Sequence, residues 1–224
     1  MFYSFPALNS ALVLVNGNTP CLSLLMTIRE KCKLFVVTDG AANKLHATPI
    51  IPDVIIGDFD SIDSATLSFY QTLVEIICAP DQYATDLEKA LNLIESRGYK
   101  NVVVTGINGG RLDHTITNLH ILFKYSSRLA IEFFDDNGYG FLLPCYSIPT
   151  TFTHTLPLNS TVSLVSFDRA ENISTTGLYY PLLNEALEWG SRDGQSNHST
   201  AEQITIHFTA GSLFIFICPP HWLS

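Results

Sequence analysis

The feature that most constrains this chain is a series of short apolar runs, each broken off by Asp or Gly. Leu34–Thr38 runs into Asp39-Gly40-Ala41-Ala42-Asn43, and Val54–Ile56 into Gly57-Asp58-Phe59-Asp60-Ser61. Val74–Cys78 leads to Asp81-Gln82-Tyr83-Ala84-Thr85-Asp86, and Val102–Thr105 to Gly106-Ile107-Asn108-Gly109-Gly110-Arg111-Leu112-Asp113-His114. Ala11–Val15 and Ile131–Phe134 complete the set. Runs without polar alternation suit strands covered on both faces, as in a parallel sheet. Amphipathic segments lie between them. Thr85-Asp86-Leu87-Glu88 has the form of a capping box, in which Thr85 caps the Glu88 amide and Glu88 reaches back. The helix it opens carries Leu87, Ala90, Leu91 and Ile94 on one face and stops near Gly98. A second helix is expected from Leu112 to Tyr125, with Ile116, Leu119, Leu122 and Phe123 turned inward. Alternation of strand and helix predicts an α/β layered domain with a largely parallel sheet.

The pattern changes at Asp135-Asp136-Asn137-Gly138, a turn signal. Tyr139–Leu143, Ser160–Phe167, Ile173–Thr176, Gln203–Phe208 and Leu213–Cys218 read as strands, and Ala210-Gly211-Ser212 as a hairpin connection between the last two. Helical periodicity is reduced to a possible turn at Leu183–Leu187. The expected organisation is an α/β domain over 1–138 followed by a small β-sandwich over 139–224. Charge divides at nearly the same place: residues 1–134 carry 10 basic and 13 acidic side chains, and residues 135–224 carry 2 and 8.

Composition excludes several classes. With 46% hydrophobic and 15% charged residues the chain can build a core, and disorder is ruled out. A net charge of −9 repels nucleic-acid phosphates, so no nucleic-acid partner is expected. The five cysteines form no Cys-x-x-Cys pair and predict buried free thiols rather than a zinc site or disulfides. Ala11–Val15 and Leu213–Cys218 are too short to cross a bilayer, and the N-terminus lacks the basic region of a secretory signal, so a cytoplasmic protein without membrane association is expected.

Ligands of open α/β sheets sit beyond the carboxyl ends of the strands, where the Asp-rich and Gly-rich segments converge if the strands are parallel. Eight of the 12 aspartates lie between Asp39 and Asp113. Converging carboxylates need a cation, and oxygen ligands without Cys or paired His favour Mg²⁺. Asp58 and Asp60, two apart in an extended segment, point the same way and can share an ion; an Asx turn after a strand is the plainer alternative. Gly106–Gly110 can turn backbone amides toward an anion, with Arg111 supplying a forked donor, although a tight strand-to-helix turn explains the glycines equally well. His114 fits a phosphate contact or a helix-start histidine bound to a neighbouring loop. The chain contains neither the Gly-x4-Gly-Lys-[Ser/Thr] phosphate loop nor the Gly-x-Gly-x-x-Gly fingerprint.

Taken in order, these segments resemble the thiamine pyrophosphokinase family. The resemblance rests on Asp39-Gly40-Ala41-Ala42-Asn43, Gly57-Asp58-Phe59-Asp60-Ser61, Asp81-Gln82-x-x-Thr85-Asp86-x-Glu88-Lys89-Ala90-Leu91 and Gly109-Gly110-Arg111-x-Asp113-His114-x-x-x-Asn118-Leu119. Asn16-Gly17, Gly177-Leu178-Tyr179-Tyr180-Pro181-Leu182 and Gln195-Ser196-Asn197 extend it. Ala41 stands where the family more often has a second glycine, and the stretch 187–194 is unusually polar. The resemblance implies diphosphate transfer from ATP to the thiamine hydroxyl, in a homodimer with active sites at the subunit interface. It implies catalytic roles for Asp58, Asp60, Asp86, Arg111 and Asp113, with Mg²⁺ on Asp58, Asp60 and Asp86. ATP would be bound by Asp39, Asn43, Gln82, Thr85, Gly109, Gly110, Arg111 and His114, and thiamine by Ser196, Asn197 and Trp189. The nearest rival is a diphosphokinase acting on another heteroaromatic alcohol, such as a hydroxymethylpterin.

Overall fold

The computed structural model describes residues 9–145, 149–220 and 222, with the side chain of Cys145 outside the description. The chain divides into two compact units, the first ending at Asp136 and the second beginning at Asn137. Among the described residues, no helix is long and apolar enough to cross a membrane.

The first unit is a parallel sheet flanked by helices. Its elements are β1 (Ser10–Leu14), α1 (Leu22–Lys31), β2 (Leu34–Thr38), α2 (Asp39–Leu45), β3 (Val54–Gly57), α3 (Ser64–Tyr70), β4 (Glu75–Cys78), α4 (Asp86–Ser96), β5 (Asn101–Thr105), α5 (Leu112–Tyr125) and β6 (Ala130–Asp135). The strands lie side by side as β6-β5-β1-β2-β3-β4, every pair parallel. The chain therefore steps outward from β1 to β4, then returns to place β5 on the other side of β1. That reversal opens a crevice beyond the carboxyl ends of β1 and β5. The central strands β1, β2 and β3 are buried throughout, which is why they read as unbroken apolar runs. β4 is the edge strand and is partly exposed.

Helix α4 buries Leu87, Ala90, Leu91 and Ile94 as the sequence indicates, packing over β1, β2 and β3, and stops at Gly98, which has φ +83°. Its cap is half of the expected box. Thr85 Oγ1 accepts the Glu88 N–H at 3.3 Å, but the Glu88 carboxylate does not reach back. It accepts instead from Lys124 Nζ on α5 at 2.5 Å, because an ammonium is a stronger partner than a neutral amide. Helix α5 also differs from expectation. Its buried residues are Ile121, Leu122 and Tyr125, whereas Ile116 is 60% exposed. Leu112 and Ile116, one turn apart, form an exposed apolar stripe on its first half.

The second unit is built from β7 (Gly138–Cys145), β8 (Thr150–Thr155), β9 (Thr161–Val165), β10 (Arg169–Thr176), β11 (Leu183–Glu188), β12 (Gly194–His198), β13 (Gln203–Phe208) and β14 (Gly211–Cys218). One antiparallel layer runs β12-β9-β14-β7 and the other β11-β10-β13-β8. Alternate residues Ile204, Ile206 and Phe208 of β13, and Leu213, Ile215 and Ile217 of β14, fill the core between the layers. The hairpin expected between β13 and β14 is absent, since the two strands belong to different layers. The connection crosses between sheets instead, and Ala210 bridges Glu171 on the way. The helical turn expected at Leu183–Leu187 is strand β11. Its pairing with β10 outweighs the helix-favouring Leu-Asn-Glu-Ala-Leu-Glu composition, and Asn184 takes a left-handed φ of +59° within it. Cys21, Cys32, Cys78 and Cys218 are free thiols, but only Cys32 of these four is buried; Cys21 and Cys218 are half-buried and Cys78 is exposed.

Candidate active site

Parallel strands deliver their carboxyl-terminal loops to one edge, and the loops after β1, β2, β3, β4 and β5 line a single cleft of about 620 Å³. Asp39, Asp58, Asp60, Gln82, Thr85, Asp86, Gly109, Gly110, Arg111, Asp113 and His114 all border it. Asn43 does not. Its side-chain amide donates to the Ser61 carbonyl at 2.8 Å and accepts the Asp63 N–H at 2.9 Å, clamping the segment after β3.

The acidic residues fall into three environments. Carboxylate oxygens of Asp39, Asp58 and Asp60 lie within 4.8 Å of one another. The segment that brings Asp58 and Asp60 together is a turn rather than the extended stretch expected. Phe59 has φ +68°, and Asp58 Oδ1 accepts the Asp60 N–H at 3.3 Å. Asp58 is held below the usual carboxylate range, chiefly by Gln82 Nε2, which donates to its Oδ2 at 2.9 Å. Asp39 is only 1% exposed, and burial pushes its carboxyl up, as does the charge of Asp86; main-chain N–H groups of Gly40, Phe59 and Ser61 pull the other way. Asp86 pairs with Lys89, whose Nζ lies 3.0 Å from its Oδ1. Burial opposes the Lys89 charge, but Asp86, Asp58 and Asp39 outweigh that penalty and raise its pKa. Asp113 holds the Arg111 guanidinium in a two-point pair at 3.1 and 2.5 Å, which lowers the Asp113 pKa.

Several residues that shape the cleft escape a reading of the motifs alone. Lys89 is one: at 3.6 residues per turn it falls on the side of α4 away from Leu87, Ala90, Leu91 and Ile94, so the apolar pattern gives no signal of its burial. Lys44 is another: its Nζ donates to the Asn16 carbonyl at 2.9 Å and the Gly17 carbonyl at 2.5 Å, fixing the turn after β1. That turn is joined to the glycine-rich loop, with Gly17 N–H donating to Gly106 O at 2.8 Å and Asn18 N–H to Asn108 O at 2.6 Å. Gly109 has φ +92°, and a Cβ there would meet the Asn18 side chain at 2.2 Å, so only glycine fits comfortably. Asn118 Nδ2 secures the same loop through the Ile107 carbonyl at 2.9 Å.

Asp39, Asp58 and Asp60 bring oxygen donors alone close together, and Lys89 offsets only part of their negative charge. That fits a hard divalent cation such as Mg²⁺. The glycine loop that opens helix α5, whose amino terminus favours anions, borders the same cleft beside Arg111 and His114. A cation site and an anion site in one crevice suit a polyphosphate carried with its metal.

In the second unit, Ser196 and Asn197 sit on β12 and Trp189 directly follows β11. Ser196 adopts φ +58°, and its N–H donates to Ser163 Oγ at 3.0 Å. The Asn197 amide is engaged with the Tyr180 main chain at 3.1 and 2.7 Å. Trp189 is largely exposed, with one ring face stacked on Phe167 at a centroid distance of 5.0 Å.

Comparison with known proteins adds independent findings. Residues 25–133 match the family model described as thiamin pyrophosphokinase, catalytic domain. Residues 150–213 match that described as thiamin pyrophosphokinase, vitamin B1 binding domain. Thiamine pyrophosphokinase 2 of Arabidopsis thaliana is 29% identical over 225 residues, covering 88% of this chain and 81% of its own. Thiamin pyrophosphokinase 1 of Caenorhabditis elegans is 27% identical, covering 92% and 88%. Among solved structures, thiamin pyrophosphokinase from Candida albicans superposes with a TM-score of 0.81 at 20% identity, over 98% of this chain and 95% of its own. The Bacillus subtilis enzyme gives 0.80 at 24%, over 94% and 99%. Those two likenesses establish the fold. The two matched models follow one another in the order of the two units, and the relatives align along most of both lengths, so the chain belongs to the thiamine pyrophosphokinase family of enzymes.

Proposed function

We propose that this protein transfers a diphosphate group from ATP to the hydroxyl of thiamine, giving thiamine diphosphate and AMP, with Mg²⁺ as the cofactor. The observation that carries the proposal is the pairing, in one cleft, of the carboxylate cluster with the glycine loop and Arg111. Asp58 and Asp60 would hold Mg²⁺, with Asp86 facing the same cleft; the ion would neutralise phosphate charge and help orient the polyphosphate. Gln82 keeps Asp58 ionised and aimed. The Gly109–Gly110 amides and Arg111 offset negative charge as it moves onto the AMP leaving group, once Arg111 exchanges Asp113 for phosphate oxygens. The thiamine oxygen bonds to the β-phosphorus while the bond from that phosphorus to the α,β-bridging oxygen breaks, the electron pair stays with AMP, and the hydroxyl proton passes to solvent water. Little covalent work falls to the protein, which contributes position and charge.

Thiamine is assigned to the second unit through Ser196, Asn197 and Trp189, supported by the match of residues 150–213 to a vitamin B1 binding domain. Because Asn197 is already bound to Tyr180, its part is to shape the β12 turn that presents Ser196. A cytoplasmic location and a homodimer with active sites at the subunit interface belong to the same proposal; the exposed Leu112 and Ile116 support the dimer, and sedimentation as a monomer would contradict it. The reaction is tested by AMP release from ATP and Mg²⁺ with thiamine, with a hydroxymethylpterin, or with no acceptor. Release that depends on thiamine, and is abolished in a folded Asp60→Asn variant, is expected. Release that depends on the pterin, or needs no acceptor, overturns the proposal.

A further inference from the structure

We infer that Asp39 is a positioning residue that acts through Phe59, and not a ligand of the ion. The inference rests on the proposed metal-binding role of Asp58 and Asp60 and concerns how those two carboxylates come to face one point. Phe59, between them, sits at φ +68°, a conformation that a bulky side chain adopts only when its surroundings impose it. The imposing group is Asp39. Its Oδ2 accepts the Phe59 N–H at 3.0 Å, while its Oδ1 accepts the Gly40 N–H at 2.6 Å. Both are bonds from neutral donors to a charged acceptor, the stronger kind. The carboxylate is sealed from water, and Gly57 makes room for it, since a Cβ on Gly57 would lie 2.6 Å from Asp39 Cγ.

The consequence is geometric. In an extended strand, alternate residues point the same way without help. Here the chain turns at Phe59, and the Asp60 N–H closes onto Asp58 Oδ1. Without Asp39 the Phe59 backbone is free to relax to negative φ, and the direction of Asp60 relative to Asp58 changes with it. Asp39 therefore supports the ion site from behind, as outer residues commonly do for metal ligands. Its closeness to Asp58 and Asp60 follows from its hold on the residue between them.

A glycine at position 59 needs no such hold, and this provides the test. Four proteins are compared: wild type, Asp39→Ala, Phe59→Gly and the double variant. Mn²⁺ affinity is measured by titration without nucleotide, alongside thiamine-dependent AMP release and the circular dichroism of each protein. Asp39→Ala is expected to lose about 10–100-fold in Mn²⁺ affinity. The double variant is expected to return to the level of Phe59→Gly alone, because glycine takes the left-handed angle without support. A double variant as weak as Asp39→Ala would make Asp39 a ligand and overturn the inference. If Asp39→Ala fails to fold, Asp39→Asn, with and without Phe59→Gly, makes the same comparison at conserved volume. A wild type that binds Mn²⁺ but does not release AMP overturns the proposed reaction and leaves the Asp39 comparison readable. A wild type that binds no Mn²⁺ overturns both.

Discussion

Replacing Lys89 with Met tests the electrostatic arrangement of the cleft most sharply, because it removes one charge and keeps the stem. The Lys89 side chain is 7% exposed and its Nζ lies 3.0 Å from Asp86 Oδ1, with Asp58 and Asp39 adding to its field. Removing one partner of a fully buried pair costs about 3–5 kcal/mol. Asp86 retains 32% of its exposure, so water replaces part of the lost interaction, and about 2 kcal/mol is the expected deficit without metal. For a chain of this size that lowers Tm by about 4–8 °C. Mg²⁺ then changes the comparison. A ligand that binds only the folded protein adds about 2.7 kcal/mol at a hundred times its Kd, and the variant cluster, one positive charge poorer, attracts the ion more strongly. Thermal melts of both proteins across a Mg²⁺ series should show a larger rise for Lys89→Met, so that the deficit shrinks as Mg²⁺ saturates. A variant that melts with the wild type in chelator, or rises with Mg²⁺ no more steeply, would refute the reasoning.

Thr85→Ala removes the side-chain bond that caps α4 and should cost about 1 kcal/mol in chemical denaturation, while Glu88 keeps its bond to Lys124; an unchanged midpoint would contradict the cap. Gly109→Ala forces a Cβ toward Asn18 at φ +92° and should lower kcat and kcat/KM for ATP together, because its amide serves the charge developing on the leaving group; a raised KM with kcat unchanged would reduce the loop to ground-state binding. His154, buried with Nε2 2.8 Å from the Tyr139 hydroxyl, titrates at about 4 rather than 6.5 because burial penalises the charged ring. The unfolded chain takes up that proton first, so stability is lost as pH falls from about 6.5 toward about 4, by up to about 3 kcal/mol. His154→Gln should flatten that part of the stability profile, and parallel wild-type and variant curves would refute the assignment.

The parts of the fold legible in the sequence are those with one dominant physical cause. β1, β2 and β3 are buried on both faces and so are apolar without interruption, and α4 carries a cap, an apolar stripe and a glycine stop. The illegible parts answer to tertiary context. Helix α2, Asp39–Leu45, is seven residues of Asp-Gly-Ala-Ala-Asn-Lys-Leu and looks like a loop until β2 and β3 cover its buried face. Strand β12, Gly-Gln-Ser-Asn-His, has no apolar face and is defined by its pairing with β9. Strand β8 carries a usable signal in its alternating threonines, and it pairs with β13 along its whole length. At the site, residue types and their order indicate which side chains meet at the cleft, since parallel strands bring successive loops to one edge. They do not reveal how those side chains divide the work. The left-handed Phe59, the diversion of Asn43 to the 61–63 main chain and the Lys89–Asp86 pair depend on distances between segments far apart in sequence.

The central claim is diphosphate transfer in one step, and phosphorus-31 NMR of a reaction containing the protein, ATP, Mg²⁺ and thiamine tests it most directly. The account predicts AMP and thiamine diphosphate appearing in equal amounts, with no thiamine monophosphate at any time. ADP appearing with thiamine monophosphate would contradict it, as would inorganic phosphate released without an acceptor.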